Sequence, residues 1–309
     1  MVNNPLVLVL GAGASYPYGF PLGYELRLEL CDLKNDTSLL RASLVKNANL
    51  DDTQLREFAN SFRLSSIKSI DAFLAKRSEF ATIGKLAIAG SLLSKNHQKI
   101  KEPASEDDWY LEVWNALQSS ITSINELKNN KIKIITFNYD YSLEIFLHCA
   151  ITHTFGVSSE DAFAALKYIP ILHVYGCIKN IDSASALTNQ TTFNEQSLKY
   201  ASEGIKIIPE SRDDDASFEK ARDWFNWASN ICFLGFGFDE LNIKRLDLNS
   251  VIDHKNTNHQ QLPRIVASIF GMTANEADLA RRRLGITVNW NPVPHKNLMA
   301  IRERIEIFT

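Results

Sequence analysis

The sequence predicts an α/β protein that is built on a parallel sheet and carries a large helical insertion after its first strand. Two observations predict this class. Short runs rich in Val, Ile and Leu, most of them ended by glycine or by a polar cluster, recur along the chain and are typical of buried parallel strands. Between the first two runs, over residues 24–130, apolar residues instead recur every three or four positions, which is the spacing of helices.

Six runs are predicted to be strands, in the order of the chain. They cover residues 5–10, 131–136, 169–174, 231–236, 264–269 and 286–290. The helical spacing in the insertion is clearest near its end, and one crossover helix could not account for a segment of this length. The residues that show it best are Tyr110, Val113, Trp114, Leu117, Ile121 and Ile124.

A further helix is predicted directly before the fourth strand. The segment "ASFEKARDWFNWASN" places Phe218, Trp224 and Phe225 on one face and runs straight into "ICFLGFGF". This helix-to-strand order is that of a doubly wound sheet. We interpret the acidic run at residues 213–215 as the solvated start of that helix, where carboxylates favour the positive end of the helix dipole.

Composition limits the classes of protein that the chain can belong to. Its 309 residues are 45% apolar, and no Gly/Ser or Pro linker divides them, so we expect a single domain over residues 1–309. With 33 basic and 36 acidic residues, the net charge is −3, which argues against direct binding of nucleic acid. The N-terminus lacks a basic segment and a long apolar run, which predicts a cytoplasmic protein without a membrane span.

The cysteines predict no metal site. Cys31, Cys149, Cys177 and Cys232 lie far apart, and no CxxC pair is present to bind zinc. Each lies in an apolar stretch, so we expect buried free thiols.

The turn after the first strand has half of a dinucleotide-binding fingerprint. In "VLVLGAGASYPYGFPLG", Gly11 and Gly13 would let the backbone turn sharply and let a pyrophosphate approach the amide N–H groups. The sixth position of a GxGxxG pattern is Tyr16, however, and the next glycine is Gly19. We therefore expect a stiff irregular loop over a ligand rather than the usual helix. A tight turn without any ligand is the alternative, because a lone glycine pair is a weak signal.

Polar residues and glycines also follow three other strands. Asn138 and Asp140 come just after the second strand, and His173 lies at the end of the third. Gly235 and Gly237 end the fourth, with Asp239 two residues on. The carboxyl ends of parallel strands are where such sheets bind ligands. Singly, Asn138 could be a turn residue, His173 a core histidine and Asp239 a helix N-cap.

The motifs "GAGAS", "TFNYD", "HVYG" and "GFGFDELNI", in this order, resemble the sirtuin-like (silent information regulator) superfamily, and specifically its bacterial antiphage-defence branch. The resemblance covers residues 7–243 and implies a Rossmann-like sheet that binds NAD. It implies that Asn138 and Asp140 flank the nicotinamide ribose and that His173 contacts the ribose hydroxyls. It further implies phosphate contacts at Gly11, Ala12, Gly13, Ala14 and Ser15, and a ribose and phosphate wall at Gly235, Phe236 and Gly237.

One departure from the sirtuin deacylases favours NAD hydrolysis. Those enzymes carry a zinc module with two cysteine pairs soon after the histidine motif, whereas here Cys177 is followed only by the distant Cys232. The defence branch lacks that module, often has a long helical insertion, and hydrolyses NAD. The resemblance therefore implies an NAD glycohydrolase that depletes cellular NAD, needs no metal, and is controlled by homo-oligomerisation or by a co-encoded ATPase or another activating protein.

The chemistry of NAD cleavage agrees with these residue types. Nicotinamide leaves as a neutral group from a cationic precursor, so an oxocarbenium-like state needs orientation and charge stabilisation more than a strong acid. Asn138 could hold water or the ribose, His173 could accept a proton, and Asp140 could either stabilise positive charge or cap the following helix. Two alternatives to NAD hydrolysis are open. The chain could be an ADP-ribosyltransferase or deacylase, or it could be a non-catalytic nucleotide-sensing assembly module. The segment after residue 245 suggests no function.

Overall fold

The predicted parallel sheet is present. The computed structural model describes residues 1–95, 100, 107–189, 191–207, 216–286 and 289–308. Six parallel strands form one Rossmann-like sheet in the order β3-β2-β1-β4-β5-β6. The acidic run at 213–215 lies outside the described residues. The strands are β1 (Leu6–Leu10), β2 (Ile132–Thr136), β3 (Ile171–His173), β4 (Asn230–Leu234), β5 (Arg264–Ser268) and β6 (Trp290–Val293).

The centre of the sheet is β1, which lies between β2 and β4. All five of its residues are buried, and Leu8 is in register with Ile134 on one side and with Cys232 on the other. A strand with neighbours on both edges and helices on both faces has no solvent-facing side, which explains its uninterrupted apolar sequence. The order of the strands reverses between β1 and β4, so a crevice opens there at the carboxyl edge.

The last strand begins later than the sequence predicts. We expected residues 286–290, but the pairing with β5 runs over Trp290–Val293. Ile286 is buried in the core after a left-handed turn at Gly285, so its apolar character reflects the end of a helix rather than a strand. Because β6 is an edge strand, it tolerates Pro292, which has no N–H to donate.

The insertion after β1 is helical, as predicted. Its core includes the packed rings of Phe58, Phe62, Phe73 and Phe80. Its helices are α2 (Gly23–Asp32), α3 (Leu39–Ala48), α4 (Asp52–Ser65), α5 (Ile70–Lys76), α6 (Ala81–Leu93) and α7 (Trp109–Gln118).

The helices after β2 cover the sheet and extend the insertion. Helix α11 (Glu195–Glu203) packs on α6, so the segment after β3 and the insertion share one apolar interior. No helix of the described residues is both long enough and apolar enough to span a membrane. These helices are α8 (Ser142–Phe155), α9 (Ser159–Leu166), α10 (Ala184–Thr188), α11 (Glu195–Glu203), α12 (Ala216–Trp227), α13 (Glu240–Leu246), α14 (Leu248–Thr257), α15 (Ala274–Arg283) and α16 (Asn297–Glu303).

The segment after β1 is more regular than we expected. Instead of an irregular loop, one helical turn, α1 (Ala12–Ser15), is followed by a 3₁₀ turn over Tyr16–Tyr18. Contacts from α7 explain the difference: the Tyr18 ring stacks on Tyr110 with 3.7 Å between centroids, and the Trp109 indole N–H donates to the carbonyl of Ala14 at 2.8 Å. Gly19 then ends the turn in the left-handed conformation, with φ of 91°.

Candidate functional site

A large cavity opens at the carboxyl edge of the sheet, at the crevice between β1 and β4. Its volume is about 980 Å³. The sheet contributes the turn at residues 11–13, the end of β2 at residues 137–140 and the end of β4 at residues 235–237. The opposite walls come from other parts of the chain. The 3₁₀ turn after β1 supplies Tyr16, and the insertion supplies Leu26, Lys68, Ser69, Ile70 and Asp71. The end of β5 supplies Ser268, and the segment after it supplies Phe270, Met272, Lys296 and Asn297.

Three glycines let the β1 and β4 turns approach each other closely. The N–H of Gly13 donates to the carbonyl of Gly235 at 3.0 Å, and Gly235 is left-handed with φ of +57°. A Cβ on Gly11 would lie 2.6 Å from the Gly235 oxygen, and one on Gly13 would lie 2.8 Å from the Gly235 Cα. No side chain fits at such distances. Packing of one turn against the other is thus a sufficient reason for these glycines, without any ligand.

Gly237 differs from those three glycines. A Cβ placed on it would meet no atom within 4 Å, although the residue lines the cavity. A side chain at this exposed position would therefore meet no steric obstacle in the protein.

Asn138 joins the β1 turn to the end of β2. Its amide nitrogen donates to the carbonyl of Gly11 and to the hydroxyl of Ser15, both at 2.9 Å. Two acceptors use both hydrogens of the amide. Since Asn138 also lines the cavity, its amide oxygen is the polar atom that it can offer to a ligand, as a hydrogen-bond acceptor.

Asp140 takes part both in the cavity wall and in the start of α8. Its Oδ1 accepts from the backbone N–H of Ser142 at 3.0 Å and from the Ser142 hydroxyl, so it satisfies the first N–H of α8, although the N-cap residue of that helix is Tyr141. Burial raises the pKa of this carboxyl, and the neighbouring Glu144 also raises it, while the bonds from Ser142 lower it. The residue lines the cavity as well.

His173 lies behind the wall rather than in it. Its Nδ1 is 2.9 Å from the carbonyl of Asn138, and its Nε2 is 2.7 Å from Oε1 of Glu144. Burial lowers the pKa of the imidazole, but the Glu144 carboxylate, the Asn138 carbonyl and Asp140 together raise it above its ordinary value.

The structure brings most of the predicted site residues together. Of the eleven residues singled out in the sequence, three do not line the cavity. Ala14 and Ser15 are buried against α7 and Asn138, and His173 lies beneath Asn138. The N–H of Ala14 donates to the carbonyl of Gly11 at 2.8 Å, so it is not available to a phosphate. The residues in the wall are Gly11, Ala12, Gly13, Asn138, Asp140, Gly235, Phe236 and Gly237.

The helical insertion contributes a carboxyl group that the sequence did not reveal. Oδ1 of Asp71, in the first turn of α5, accepts from the Tyr139 hydroxyl at 2.8 Å, and both residues line the cavity. Burial raises the pKa of Asp71, which the bond from Tyr139 partly offsets. The position of Tyr139 between Asn138 and Asp140 could have indicated from the sequence that it belongs to the site, whereas nothing near Asp71 in the sequence points to a site.

The C-terminal segment also reaches the β1 turn. The Asn297 side-chain amide donates to the carbonyl of Gly13 at 3.0 Å, and the backbone N–H of Leu298 donates to Oδ1 of Asp107 at 2.6 Å. Asn297 and Asp107 both line the cavity. The segment for which the sequence suggested no function is therefore part of this site.

The two lysines of the described wall lie close to acidic side chains, since Asp71 follows Lys68 in the chain and Asp107 interacts electrostatically with Lys296. Lys68 and Lys296 lie on the side formed by the insertion and the C-terminal segment, together with Phe270 and Met272. Asp239 N-caps α13 through the N–H groups of Leu241 and Asn242, as the alternative interpretation expected. In the described part of the chain, no group of three His, Cys, Asp or Glu side chains is arranged to hold a metal ion.

Comparison with models of protein families and with curated proteins finds no match to this chain. The likeness of its four strand-end motifs to the sirtuin-like superfamily therefore stays a resemblance. The structure adds a spatial relation between the motifs. "GAGAS", "TFNYD" and "GFGFDELNI" contribute to one cavity, and "HVYG" lies directly behind it through His173.

Proposed function

We propose that the chain is an NAD glycohydrolase, which cleaves the bond between nicotinamide and ribose to give nicotinamide and ADP-ribose. One observation carries the proposal: a cavity of about 980 Å³ at the point where the strand order reverses, with Asn138 and Asp140 in its wall. This is where open parallel sheets bind nucleotides, and the volume is large enough for a dinucleotide.

The two polar residues after β2 suit the reacting end of NAD. Cleavage develops positive charge on the ribose, because the bond to nicotinamide breaks ahead of attack by water. A carboxylate at Asp140 would stabilise that charge. The amide oxygen of Asn138, held in place by the two hydrogen bonds of its nitrogen, would accept from a ribose hydroxyl or from the attacking water.

The phosphates need positive charge, which two lysines of the opposite wall could supply beside the acids Asp71 and Asp107. Lys68 and Lys296 are the two lysines among the described lining residues. We assign the diphosphate to the space between the β1 turn and these lysines, with the adenosine toward Phe270. This arrangement differs from the one that the resemblance implies, because the N–H groups of Gly13 and Ala14 bond within the protein.

The test of this function separates binding from turnover. NAD is incubated with the purified chain, alone and with candidate activators, and the products are separated by HPLC. We expect nicotinamide and ADP-ribose in equal amounts with little cyclic product. Cyclic ADP-ribose as the main product, or no binding of NAD in calorimetry, would contradict the proposal.

Asn138→Ala and Ser15→Ala form a matched pair for the same assay. Both remove the hydrogen bond between these side chains, but only Asn138 lines the cavity. We expect Asn138→Ala to bind NAD within about tenfold of the parent while turnover falls by about a hundredfold or more, the size of a positioned polar contribution. Ser15→Ala should keep turnover within a few-fold, and an equal loss in both variants would assign Asn138 a structural role only.

A nucleotide-sensing module is the second candidate, and the position of His173 favours it. With both ring nitrogens bonded inside the protein, His173 has no lone pair directed at a substrate. A sensor would bind NAD with unchanged affinity in Asn138→Ala and would release no nicotinamide under any condition. Acyl-lysine consumption would instead indicate a deacylase, and ADP-ribose attached to protein would indicate a transferase.

The cellular role that we propose follows the resemblance. The enzyme would deplete NAD in response to infection, with NAD as its ligand and with homo-oligomerisation, a co-encoded ATPase or another protein as its activator. Loss of cellular NAD on expression of the parent but not of Asn138→Ala would support this role.

A further inference from the structure

Glu144 is a buried carboxyl group that the proposed reaction does not yet use. It lies in the first turn of α8, is 5% exposed, and has its Oε1 2.7 Å from Nε2 of His173. On the other side of the ring, Nδ1 of His173 is 2.9 Å from the backbone carbonyl of Asn138. These contacts form a chain of three residues from α8 through the end of β3 to the cavity wall.

The chemistry of the partners determines where the protons lie. A carbonyl oxygen only accepts hydrogen bonds, so Nδ1 of His173 carries a hydrogen. An ionised carboxylate also only accepts, so Nε2 carries a hydrogen as well when Glu144 is charged. The ring is then an imidazolium that donates on both sides, and it has no lone pair with which to remove a proton from a substrate.

We propose that Glu144 is a positioning residue, whose carboxylate holds His173 with both ring N–H groups donating and thereby fixes the backbone of Asn138 at the cavity wall. This inference rests on the proposed function for its effect on turnover. It gives His173 a different role from the proton acceptor expected from the sequence: the ring is a charged support for Asn138.

The surroundings of His173 agree with a persistent charge on the ring. The titratable groups that face the pair are Glu144 on α8, Asp140 and Tyr141 before it, Cys177 after β3 and Tyr110 on α7. Burial raises the pKa of Tyr141 to about 12, so it stays neutral near pH 7. Burial raises the pKa of both Cys177 and Tyr110 well above their ordinary values, so these two groups stay neutral near pH 7. The remaining groups are acids, and an ionised acid favours the charged imidazole.

Glu144→Gln tests the assignment because it keeps the size of the side chain and removes its charge. The glutamine amide can donate to a neutral Nε2, so the contact between the side chains survives. The negative charge that favours a proton on Nε2 is removed. We expect the pKa of His173 to fall, and we expect NAD turnover to fall about tenfold or more with KM changed by less than about threefold, because Asn138 is held less firmly. As pH rises, the ring of His173 loses its second proton earlier in the variant, so turnover should begin to fall at a lower pH than in the parent.

The decisive measurement is ¹⁵N NMR of the histidine rings in the full chain, with the His173 signals assigned from His173→Gln. In the parent at pH 7, both ring nitrogens should show the shifts of protonated nitrogen, and in Glu144→Gln one should not. Glu160→Gln, which removes an exposed carboxylate on α9, is the matched control and should leave both the spectrum and the pH profile unchanged.

Several results would overturn the inference. A parent His173 with one unprotonated nitrogen at pH 7, or the same His173 titration in the parent and in Glu144→Gln, would refute the charged support. Parental kcat in Glu144→Gln would refute its positioning role. Should Glu144→Gln fail to fold, the parent spectrum decides the protonation, and Glu144→Asp, which restores the charge, serves for the kinetics. A parent that cleaves no NAD would refute the proposed function, while the ring spectrum would still decide the Glu144–His173 assignment.

Discussion

Substitutions at Gly13 and Gly237 should have opposite effects on stability and on ligand binding. Both glycines line the same cavity, but Gly13 packs against the backbone of Gly235, and Gly237 faces open space. Gly13→Ala should therefore destabilise the protein even without ligand. Gly237→Val should leave stability close to that of the parent and obstruct NAD.

The size of the Gly13 effect follows from its contacts. The new Cβ would lie 2.8 Å from the Gly235 Cα, whereas ordinary contacts begin at 3.4 Å, so two backbone segments must separate by about 0.6 Å. Overpacking of this kind costs about 1–3 kcal/mol, and weakening the hydrogen bond from the Gly13 N–H to Gly235 costs about 1 kcal/mol more. Alanine recovers about 1 kcal/mol of conformational entropy. The net loss is about 1–3 kcal/mol, or a Tm lowered by about 2–6 °C.

Differential scanning calorimetry without ligand, followed by titration calorimetry with NAD, measures both effects. For Gly237→Val we expect a Tm within about 2 °C of the parent and an NAD affinity lowered about tenfold or more, because the residue lines the cavity and a branched side chain there occupies space beside the ligand. A Gly13→Ala protein with the parental Tm and no NAD binding would refute the packing argument. It would show instead that Gly13 is needed for close approach of the phosphates.

Three further predictions concern groups elsewhere in the site and the core. Burial raises the folded-state pKa of Asp71, so the stability contributed by its protonated form is lost as pH rises above the ordinary pKa of aspartate. Asp71→Asn should therefore raise Tm at pH 7 more than at pH 4. An equal change in Tm at both pH values would contradict this. Cys232 is fully buried and its pKa is raised to about 12, so iodoacetamide should label it only in denaturant, and native labelling as fast as that of the partly exposed Cys149 would contradict this. EDTA should leave Tm unchanged, whereas one tightly held zinc per chain in elemental analysis would refute a metal-free fold.

Some features of the site could be predicted because they depend on local sequence. Five of the six apolar runs indicate strands of the sheet, and parallel strands place their carboxyl ends at one edge. Asn138, Asp140 and Gly237 could therefore be assigned to one cavity from the sequence alone, although Asp140 and Gly237 are 97 positions apart in the chain. The helical spacing over residues 24–130 likewise indicates an insertion, whatever it packs against.

Other features depended on contacts between distant parts of the chain. The turn after Gly13 is helical because Trp109 and Tyr110 bond and stack against it, and Asp71 reaches the cavity because α5 begins beside Tyr139. The orientation of His173 followed the same rule. From sequence it was a polar residue at a strand end, but Glu144 lies on the next helix and holds the ring beneath Asn138. Periodicity is a property of neighbouring residues and can be read locally, whereas the direction of a side chain depends on partners that only the folded chain brings within hydrogen-bond distance.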